Sequence, residues 1–273
     1  MSAAEERLPR IAFVAVPAQT VLILFSIGTA RAAVCGGIPM RPDELAALGP
    51  GVCAHVRIDG ACGWGTIFLP AERLVEYGSA LTGTRFSPSR AEQHWRPSLT
   101  ASRNLRSLHS AAIRMAAKNP QILTNEKAGY GLRQQLLHAL VDCISERSPR
   151  DDMVLERRNQ EIMVRFEQLL RTSQNRVAMS EACALLQVSD RDLRRLCREH
   201  LAMSPTSYDR LRRMSSARRQ LRRGDPALVT VATVARLNGF CDPGRFSIRY
   251  RAMFGETPSA TLHRVDFIKD QKT

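Results

Sequence analysis

The sequence lacks closely spaced pairs of metal-binding side chains. Seven cysteines occur, no two of them in a CxxC pair, and the six histidines form no HxH or HxxxH pair. Structural zinc sites usually contain such pairs, and disulfide frameworks usually contain an even number of cysteines. Cys183 and Cys197 fall at apolar helix positions, which favours buried, reduced thiols. We therefore predict no disulfides, no bound metal and no cofactor.

Negative charge is also scarce, above all in the C-terminal third. The formal net charge is +14, and residues 171–273 contribute +10 of it, with 20 Lys and Arg against 10 Asp and Glu. Nearly all of these cations are arginine, which suits bidentate contacts to phosphates and base edges. Charge alone is equally compatible with a solvated basic surface and with nucleic-acid binding.

Residues 11–30 carry no charge of either sign. We interpret them as two short buried strands, FVAV (13–16) and VLILF (21–25), around a turn at Pro17. Two alternatives stay open. The run is just long enough for a signal or membrane anchor, and residues 30–32 (ARA) resemble a signal-peptidase site. The second alternative is that the start codon has been assigned at the wrong position.

Strand patterns are few. VCAHVRI (52–58) and GWGTIFL (63–69) flank a turn at Asp59-Gly60. They indicate two hairpins at most before residue 70, too little for a complete eight-stranded barrel. From about residue 71 the pattern turns helical, with apolar residues at 3–4 spacing: Leu105, Leu108, Ala112 and Met115, then Leu132, Leu136, Leu137, Leu140 and Ile144.

A polar break follows. SERSPRDD (145–152) contains proline and is a candidate linker. Residues 153–172 are then predicted to form an amphipathic helix, either a connecting or dimer helix or the first helix of the C-terminal domain. Its apolar side consists of Ile162, Phe166, Leu169 and Leu170.

Two segments of the C-terminal third share one pattern. Residues 180–205 and 230–258 each read as helix, tight turn, helix, small residue and Ser/Thr-Pro. A repeated helix-turn-helix is harder to obtain by chance than one copy. Equivalent positions lie 53 residues apart: Leu193 and Phe246, Leu201 and Phe254, Ala202 and Gly255, Pro205 and Pro258.

Capping residues mark the helix boundaries. Ser189, with Asp192 three residues later, forms a capping-box pattern, and Gly239 suits a turn with left-handed backbone. Three further helices are predicted to begin where an N-cap residue precedes proline: Ser204-Pro205, Asp242-Pro243 and Thr257-Pro258.

The second helix of each segment has two faces. In the first segment the apolar face holds Leu193, Leu196, Cys197 and Leu201, and the opposite face holds Arg191, Arg194, Arg195 and Arg198. In the second segment the apolar face holds Phe246, Tyr250, Met253 and Phe254, and Arg245 and Arg249 point away with Ile248 between them. An outward isoleucine suits a thymine methyl or is simply an exposed apolar residue.

Residues 205–223 contain no internal glycine or proline and are predicted to form one helix of roughly 28 Å. Successive major grooves on one face of B-DNA lie ~34 Å apart. Such a helix can therefore place two recognition helices in neighbouring grooves. Its arginines suit DNA-backbone contacts, or, for Arg213 and Arg218, buried intramolecular pairs.

Together these features resemble the tandem helix-turn-helix domain of AraC/XylS-type bacterial transcription regulators. The motifs are Gly239-Phe240, Phe246-Ser247, Phe254-Gly255-x-Thr257-Pro258, and Ser204-Pro205-Thr206-Ser207-Tyr208 leading into Arg213 and Ala217-Arg218. The sequence departs from the family at four positions: Ile248 replaces a common arginine, Gln187 and Ala202 replace glycines, and Thr261 replaces an aromatic residue.

The resemblance implies sequence-specific binding to double-stranded promoter DNA in the cytoplasm, contact with RNA polymerase, and control by the N-terminal region, with a homodimer and a small-molecule effector as candidate partners. The predicted base contacts are Asp190, Arg191, Arg194, Arg195, Arg245, Ile248 and Arg249, of which the resemblance implies Arg191, Arg195, Arg245 and Ile248. The predicted phosphate contacts are Arg198, Arg219, Arg222 and Arg223.

The predicted fold class is mainly α. An α+β regulatory or dimerisation domain, a degenerate cupin-like part plus helices, occupies residues 1–150. A linker helix occupies 151–170, and an all-α DNA-binding domain with two helix-turn-helix units joined by a long helix occupies 171–273.

Two other classes of function are compatible with a DNA-binding domain of this type. Domains of this type can be fused to alkyl-transfer enzymes that contain a reactive cysteine and a cysteine zinc site, but Cys53 and Cys62 lack such clustering, so we predict no enzyme. The hypothesis of a membrane-tethered regulator depends only on residues 11–30.

Overall fold

The computed structural model describes residues 1–27, 33–83, 92–119, 121, 125–145, 148–149, 153–173 and 177–264. The chain divides into two units. The N-terminal unit comprises Met1–Val164 and Glu199–Leu201, and the C-terminal unit comprises Arg165–Arg198 and Ala202–Thr273.

The N-terminal unit is built on two antiparallel sheets. Its strands are β1 (Ser2–Glu6), β2 (Arg10–Ala15), β3 (Thr20–Ile27), β4 (Val34–Cys35), β5 (Ile38–Pro39), β6 (Leu45–Leu48), β7 (Cys53–Ile58), β8 (Cys62–Pro70), β9 (Glu92–Arg96) and β10 (Ser148–Pro149). One sheet has the order β1-β8-β3-β6-β9-β10, and the other has the order β2-β7-β4-β5.

The prediction of two hairpins at most before residue 70 was wrong, because eight strands precede that point. Strands β4 and β5 have two residues each, and β6 has the sequence LAAL, so none carries a recognisable alternating pattern. Strand β9 also interrupts the region predicted to be helical after residue 71. Within the predicted linker, residues 148–149 pair with β9, and residues 146–147 and 150–152 lie outside the described part of the chain.

The described part of the uncharged run, residues 11–27, forms two strands, as one of the three interpretations predicted. Strands β2 and β3 flank Pro17, and β3 pairs with β8 from Thr20 opposite Pro70 to Ile27 opposite Gly63. Strand β3 is buried from Val21 to Ser26, whereas β2 is mostly half-buried. Within the described residues, no helix is both long enough and apolar enough to span a membrane. Residues 30–32 lie outside the described residues.

The alternation of β3 divides the core in two. Val21, Ile23 and Phe25 pack with helices, whereas Leu22 and Leu24 join a cluster that includes residues of the second sheet. The helices are α1 (Ala71–Thr82), α2 (Leu99–Lys118) and α3 (Glu126–Ser145). The predicted spacing is confirmed by the buried side chains of Leu105, Ala112, Leu136, Leu140 and Ile144, although Met115 is exposed.

Helix α4 (Met153–Thr172) follows, and the predicted apolar side is confirmed by the burial of Ile162, Phe166 and Leu170. The C-terminal helices are α5 (Met179–Leu186), α6 (Asp190–Leu201), α7 (Pro205–Arg223), α8 (Val231–Leu237), α9 (Pro243–Phe254) and α10 (Pro258–Leu262). The predicted caps are confirmed, since the Ser189, Ser204, Asp242 and Thr257 side chains each accept a backbone hydrogen bond from the third residue that follows.

The predicted equivalence of Ala202 and Gly255 has a backbone basis. Both residues end their helices in the left-handed region, with φ of 55° at Ala202 and 74° at Gly255. A residue with a Cβ atom is strained there by about 1 kcal/mol or more, whereas glycine is not.

Ala202→Gly is therefore expected to raise the free energy of unfolding by roughly 1 kcal/mol. The matched control is Ala252→Gly, because Ala252 is exposed inside helix α9, where the same change is expected to lower stability by about 1 kcal/mol. Chemical denaturation of both variants of the full-length protein measures the difference. Two changes of the same sign would contradict the assignment of strain to Ala202.

Candidate DNA-binding surface

Helix α6 has one buried face and one basic face. Leu193, Leu196, Cys197 and Leu201 are each at most 1% exposed. Burial raises the pKa of the Cys197 thiol to about 12, and Cys183 contributes further, so this thiol is protonated and unreactive at neutral pH. The four predicted arginines are all exposed on the other side: Arg191, Arg194, Arg195 and Arg198.

Acidic residues of the first turn of α6 form ion pairs with two of these arginines. The Arg194 Nε atom lies 2.6 Å from Asp190 Oδ2, and Arg195 Nη2 lies 3.8 Å from Asp192 Oδ1. Asp190 and Arg194 thus form one polar group at the N-terminal end of α6. Arg191, two residues after the N-cap Ser189, makes no hydrogen bond or ion pair within the described residues, so its guanidinium is available to a ligand.

Helix α9 is anchored by a row of aromatic rings. The ring centroids of Phe240 and Phe246 lie 5.1 Å apart, those of Phe246 and Tyr250 5.6 Å, and those of Tyr250 and Phe254 4.7 Å. Phe246 and Tyr250 are fully buried. The prediction that Met253 belongs to this apolar face was wrong, because Met253 is 40% exposed in the last turn of α9, beyond the buried rings.

The opposite side of α9 carries the other predicted contact residues. Arg245 and Arg249 are exposed, and Ile248 is 72% exposed, as predicted. Arg245 Nε lies 3.4 Å from the N-cap carboxylate of Asp242. The surface therefore combines two guanidinium groups with an apolar side chain, which suits a base edge next to a methyl group.

Helix α7 connects the two helix pairs, and some of its arginines are used internally. Arg213 Nε donates to Asp209 Oδ2 at 2.9 Å, and Arg213 Nη1 donates to the carbonyl oxygens of Asn238 and Gly239, each at 3.2 Å. Gly239 has a φ of 71°, which confirms the predicted left-handed turn. Arg213 thus fixes the turn between α8 and α9 to the connecting helix.

Arg218 has a similar internal role. Its Nη2 atom donates to Glu256 Oε1 at 2.8 Å, and its guanidinium lies 4.6 Å from the centre of the Phe254 ring. The prediction of intramolecular pairs for Arg213 and Arg218 is therefore confirmed. The predicted phosphate contacts on this helix, Arg219, Arg222 and Arg223, are exposed.

Sequence reasoning missed Glu167, which orients α7. This residue is only 3% exposed, and its carboxylate accepts from Tyr208 Oη at 2.8 Å and lies 3.0 Å from Arg212 Nε. Burial raises the pKa of Tyr208, and the Glu167 carboxylate raises it further, so the phenol stays a donor. The sequence does contain a signal for this role, because Glu167 is an acidic residue directly beside Phe166 of the apolar face of α4.

Two departures from the family pattern can be located in the structure. Gln187 adopts the left-handed conformation, with a φ of 57°, where the family often has glycine. Thr261 is 1% exposed, and its Oγ1 atom accepts a hydrogen bond from Tyr250 Oη at 2.8 Å. Thr261 therefore provides a hydrogen-bond acceptor for the buried hydroxyl of Tyr250, whereas an aromatic ring at this position would only fill space.

Comparison with known proteins defines the class of this region. A family model described as a helix-turn-helix domain matches residues 182–264. An XylDLEGF operon transcriptional activator of Pseudomonas putida is 32% identical over 88 residues, which cover 32% of this chain and 27% of that protein. A probable thc operon regulatory protein of Rhodococcus erythropolis is 33% identical over 95 residues, which cover 35% of this chain and 29% of that protein.

A solved structure of a probable AraC family transcriptional regulator from Rhodopseudomonas palustris CGA009 is 27% identical, covers 37% of this chain and 94% of that chain, and has a TM-score of 0.35. The match to the family model makes residues 182–264 a helix-turn-helix domain. It is of the AraC type, which confirms the predicted resemblance. The chain therefore spans little more than a quarter of the length of these two curated relatives.

Proposed function

We propose that this protein is a transcription regulator that binds double-stranded promoter DNA sequence-specifically and reads two adjacent major grooves. The observation that carries the proposal is the two-faced helix α6, with four exposed arginines opposite a fully buried apolar side. A helix docked by one face and basic on the other has the form of a recognition helix. The AraC-type domain that contains it supports the same function.

Within this proposal, base contacts are assigned to the exposed faces of α6 and α9, because Arg pairs with guanine edges and apolar groups pair with the thymine methyl. The base contacts are Asp190, Arg191, Arg194, Arg195, Arg245, Ile248 and Arg249. Asp190 contributes through its ion pair with Arg194. The phosphate contacts are Arg198, Arg219, Arg222 and Arg223, which position the protein without reading sequence.

The length of α7 supports the two-groove geometry. Its 19 residues span roughly 28 Å, which is close to the ~34 Å between successive major grooves on one face. Arg213 on α7 donates to the carbonyl oxygens of Asn238 and Gly239 and so attaches the turn of the second helix pair to α7. This attachment favours a defined orientation of the second helix pair on α7, as entry into a neighbouring groove requires.

The regulatory role is assigned to the N-terminal region, with residues 1–150 as the regulatory or dimerisation domain, 151–170 as the linker helix and 171–273 as the DNA-binding domain. The two-sheet N-terminal unit supports an assignment to a degenerate cupin-like domain. RNA polymerase, a second copy of the chain and a small-molecule effector are the further partners of this proposal, and the cytoplasm is its location.

Selection of genomic fragments by the purified full-length protein tests the proposal. Binding is carried out in defined salt with excess competitor DNA, because phosphate contacts alone give salt-dependent, sequence-independent binding. The proposal predicts enrichment of a common site upstream of genes. Binding that disappears with competitor, both alone and with cell metabolites added, would contradict it.

Arg222→Ala is expected to weaken binding to the selected site and to random DNA by the same factor and to reduce the slope of log K against log salt by about 1. Arg222 is exposed at the C-terminal end of α7, where a guanidinium reaches phosphates rather than base edges. Equilibrium titrations at several salt concentrations measure both quantities. A changed preference between sites would instead assign Arg222 to base reading.

A further inference from the structure

The N-terminal unit contains a buried group of three side chains that sequence reasoning did not connect. A ligand atom from each of Cys35, Glu92 and His94 lies within 4.8 Å of the other two. Cys35 is fully buried, Glu92 is 8% exposed and His94 is 4% exposed. We propose that these three residues form a binding site for a divalent transition metal ion, with Zn²⁺ as the ion that suits them best.

The fold brings these residues together from both sheets. Glu92 and His94 are two residues apart on β9, so their side chains project from the same face of the six-stranded sheet. Cys35 ends β4 of the four-stranded sheet. The prediction of no metal site considered only residues close together in sequence, and Cys35 is far from β9 along the chain.

The chemistry of the three groups matches zinc. Thiolate sulfur, imidazole nitrogen and carboxylate oxygen are its usual protein ligands, at about 2.3 Å for sulfur and about 2.0–2.2 Å for nitrogen and oxygen. These lengths place the ligand atoms of a tetrahedral site roughly 3.3–3.8 Å apart. The three ligand atoms already lie within 4.8 Å of one another, so small side-chain adjustments bring them to these separations. A set of three protein ligands leaves one position for a water molecule or a small ligand.

The hydrogen bonds around the site support a role beyond packing. His94 Nε2 lies 2.8 Å from Glu92 Oε1, and Gln160 Nε2 donates to Glu92 Oε2 at 2.7 Å. The Nδ1 atom of His94 is buried and has no hydrogen-bond partner among the described residues. Buried polar atoms are normally paired, so an unpaired one calls for an explanation, and a bound ion is one such explanation.

The surroundings are shaped for this group. Gly36 has a φ of 56°, and a Cβ atom at this position would collide with the Glu92 carboxylate in its present position. Leu48 and Ala46 lie opposite Glu92 and His94 in the β6–β9 register, and both belong to the same apolar cluster as Cys35. An apolar surrounding excludes water and strengthens metal–ligand interactions.

Cobalt titration of the chelator-treated full-length protein tests the site, because Co²⁺ replaces Zn²⁺ and reports a thiolate ligand through its charge-transfer absorption. One equivalent of Co²⁺ is expected to bind with this absorption, and one equivalent of Zn²⁺ is expected to abolish it. Cys35→Ser is expected to remove the absorption, and His94→Gln is expected to weaken binding at least tenfold.

Two matched variants serve as controls. Cys62→Ser and His109→Gln each alter a buried residue of the N-terminal unit outside the cluster, and His109 likewise has an unpaired Nδ1 atom. Both are expected to bind cobalt like the unaltered protein. Absence of stoichiometric binding in the unaltered protein, or an absorption that persists in Cys35→Ser, would overturn the proposal.

X-ray absorption of the unaltered protein with bound zinc tests the site without requiring that any variant folds. One sulfur ligand with nitrogen or oxygen ligands supports the site, whereas a shell of nitrogen and oxygen alone overturns it. The inference does not depend on DNA binding, and each of these measurements is made without DNA.

Discussion

Full-length protein carrying both Arg191→Ala and Arg195→Ala is expected to lose about 2 to 6 kcal/mol of its preference for the selected site over random DNA. One arginine that contacts a base contributes about 1 to 3 kcal/mol of discrimination, and such contributions are roughly additive. Both side chains lie on the exposed face of α6, away from the buried Leu193 and Leu196. Their removal should therefore leave the fold intact. Even the lower limit is about a 30-fold loss of preference.

The control removes the same charge elsewhere. Arg236 and Arg251 are exposed on α8 and at the end of α9, outside the predicted base contacts. Arg236→Ala combined with Arg251→Ala is expected to change affinity for both DNAs similarly, because the loss is one of net charge. Competition titrations at one salt concentration compare the two double variants. An equal loss on selected and random DNA in the Arg191 and Arg195 variant would refute their role in base reading.

Phe246→Ala is expected to lower the free energy of unfolding by about 3 to 5 kcal/mol, the usual cost of deleting a buried aromatic side chain. Phe246 is 1% exposed and contacts Phe240 and Tyr250 through ring centroids 5.1 Å and 5.6 Å away. The vacated volume lies between α8 and α9, where the rings on both sides lose their partner. Site-specific DNA binding should fall with it, because α9 loses its anchor.

Met253→Ala in the same helix is the matched control. Its side chain is 40% exposed, so the expected loss of stability is below about 1 kcal/mol. Denaturant unfolding of the two variants, followed by helical circular dichroism, gives the comparison. Similar losses for both variants would contradict the assignment of Phe246 as the core residue and Met253 as a surface residue.

The C-terminal helices could be predicted closely from sequence because their signals are local. A cap such as Ser189 and a left-handed turn such as Gly239 each act within a few residues of their own position. The repeated pattern then placed the exposed arginines of α6 correctly. The position of Met253 was missed because periodicity gives the direction of a side chain and not what covers it.

The number of strands was underestimated because strand pairing depends on residues that are distant in sequence. Strand β1 has the polar sequence SAAEE and is held by β8, where Ser2 lies opposite Thr66. The sequence of residues 2–6 alone does not predict that pairing. The same limit hid the cluster of Cys35, Glu92 and His94, which exists only once β4 and β9 face each other.

The central claim is that one chain reads two neighbouring major grooves, and a hydroxyl-radical footprint of the full-length protein on its selected site tests this most directly. Two protected regions on the same face of the duplex, with centres about 10 base pairs apart, are the predicted result. A single protected region, or two regions on opposite faces, would contradict the account.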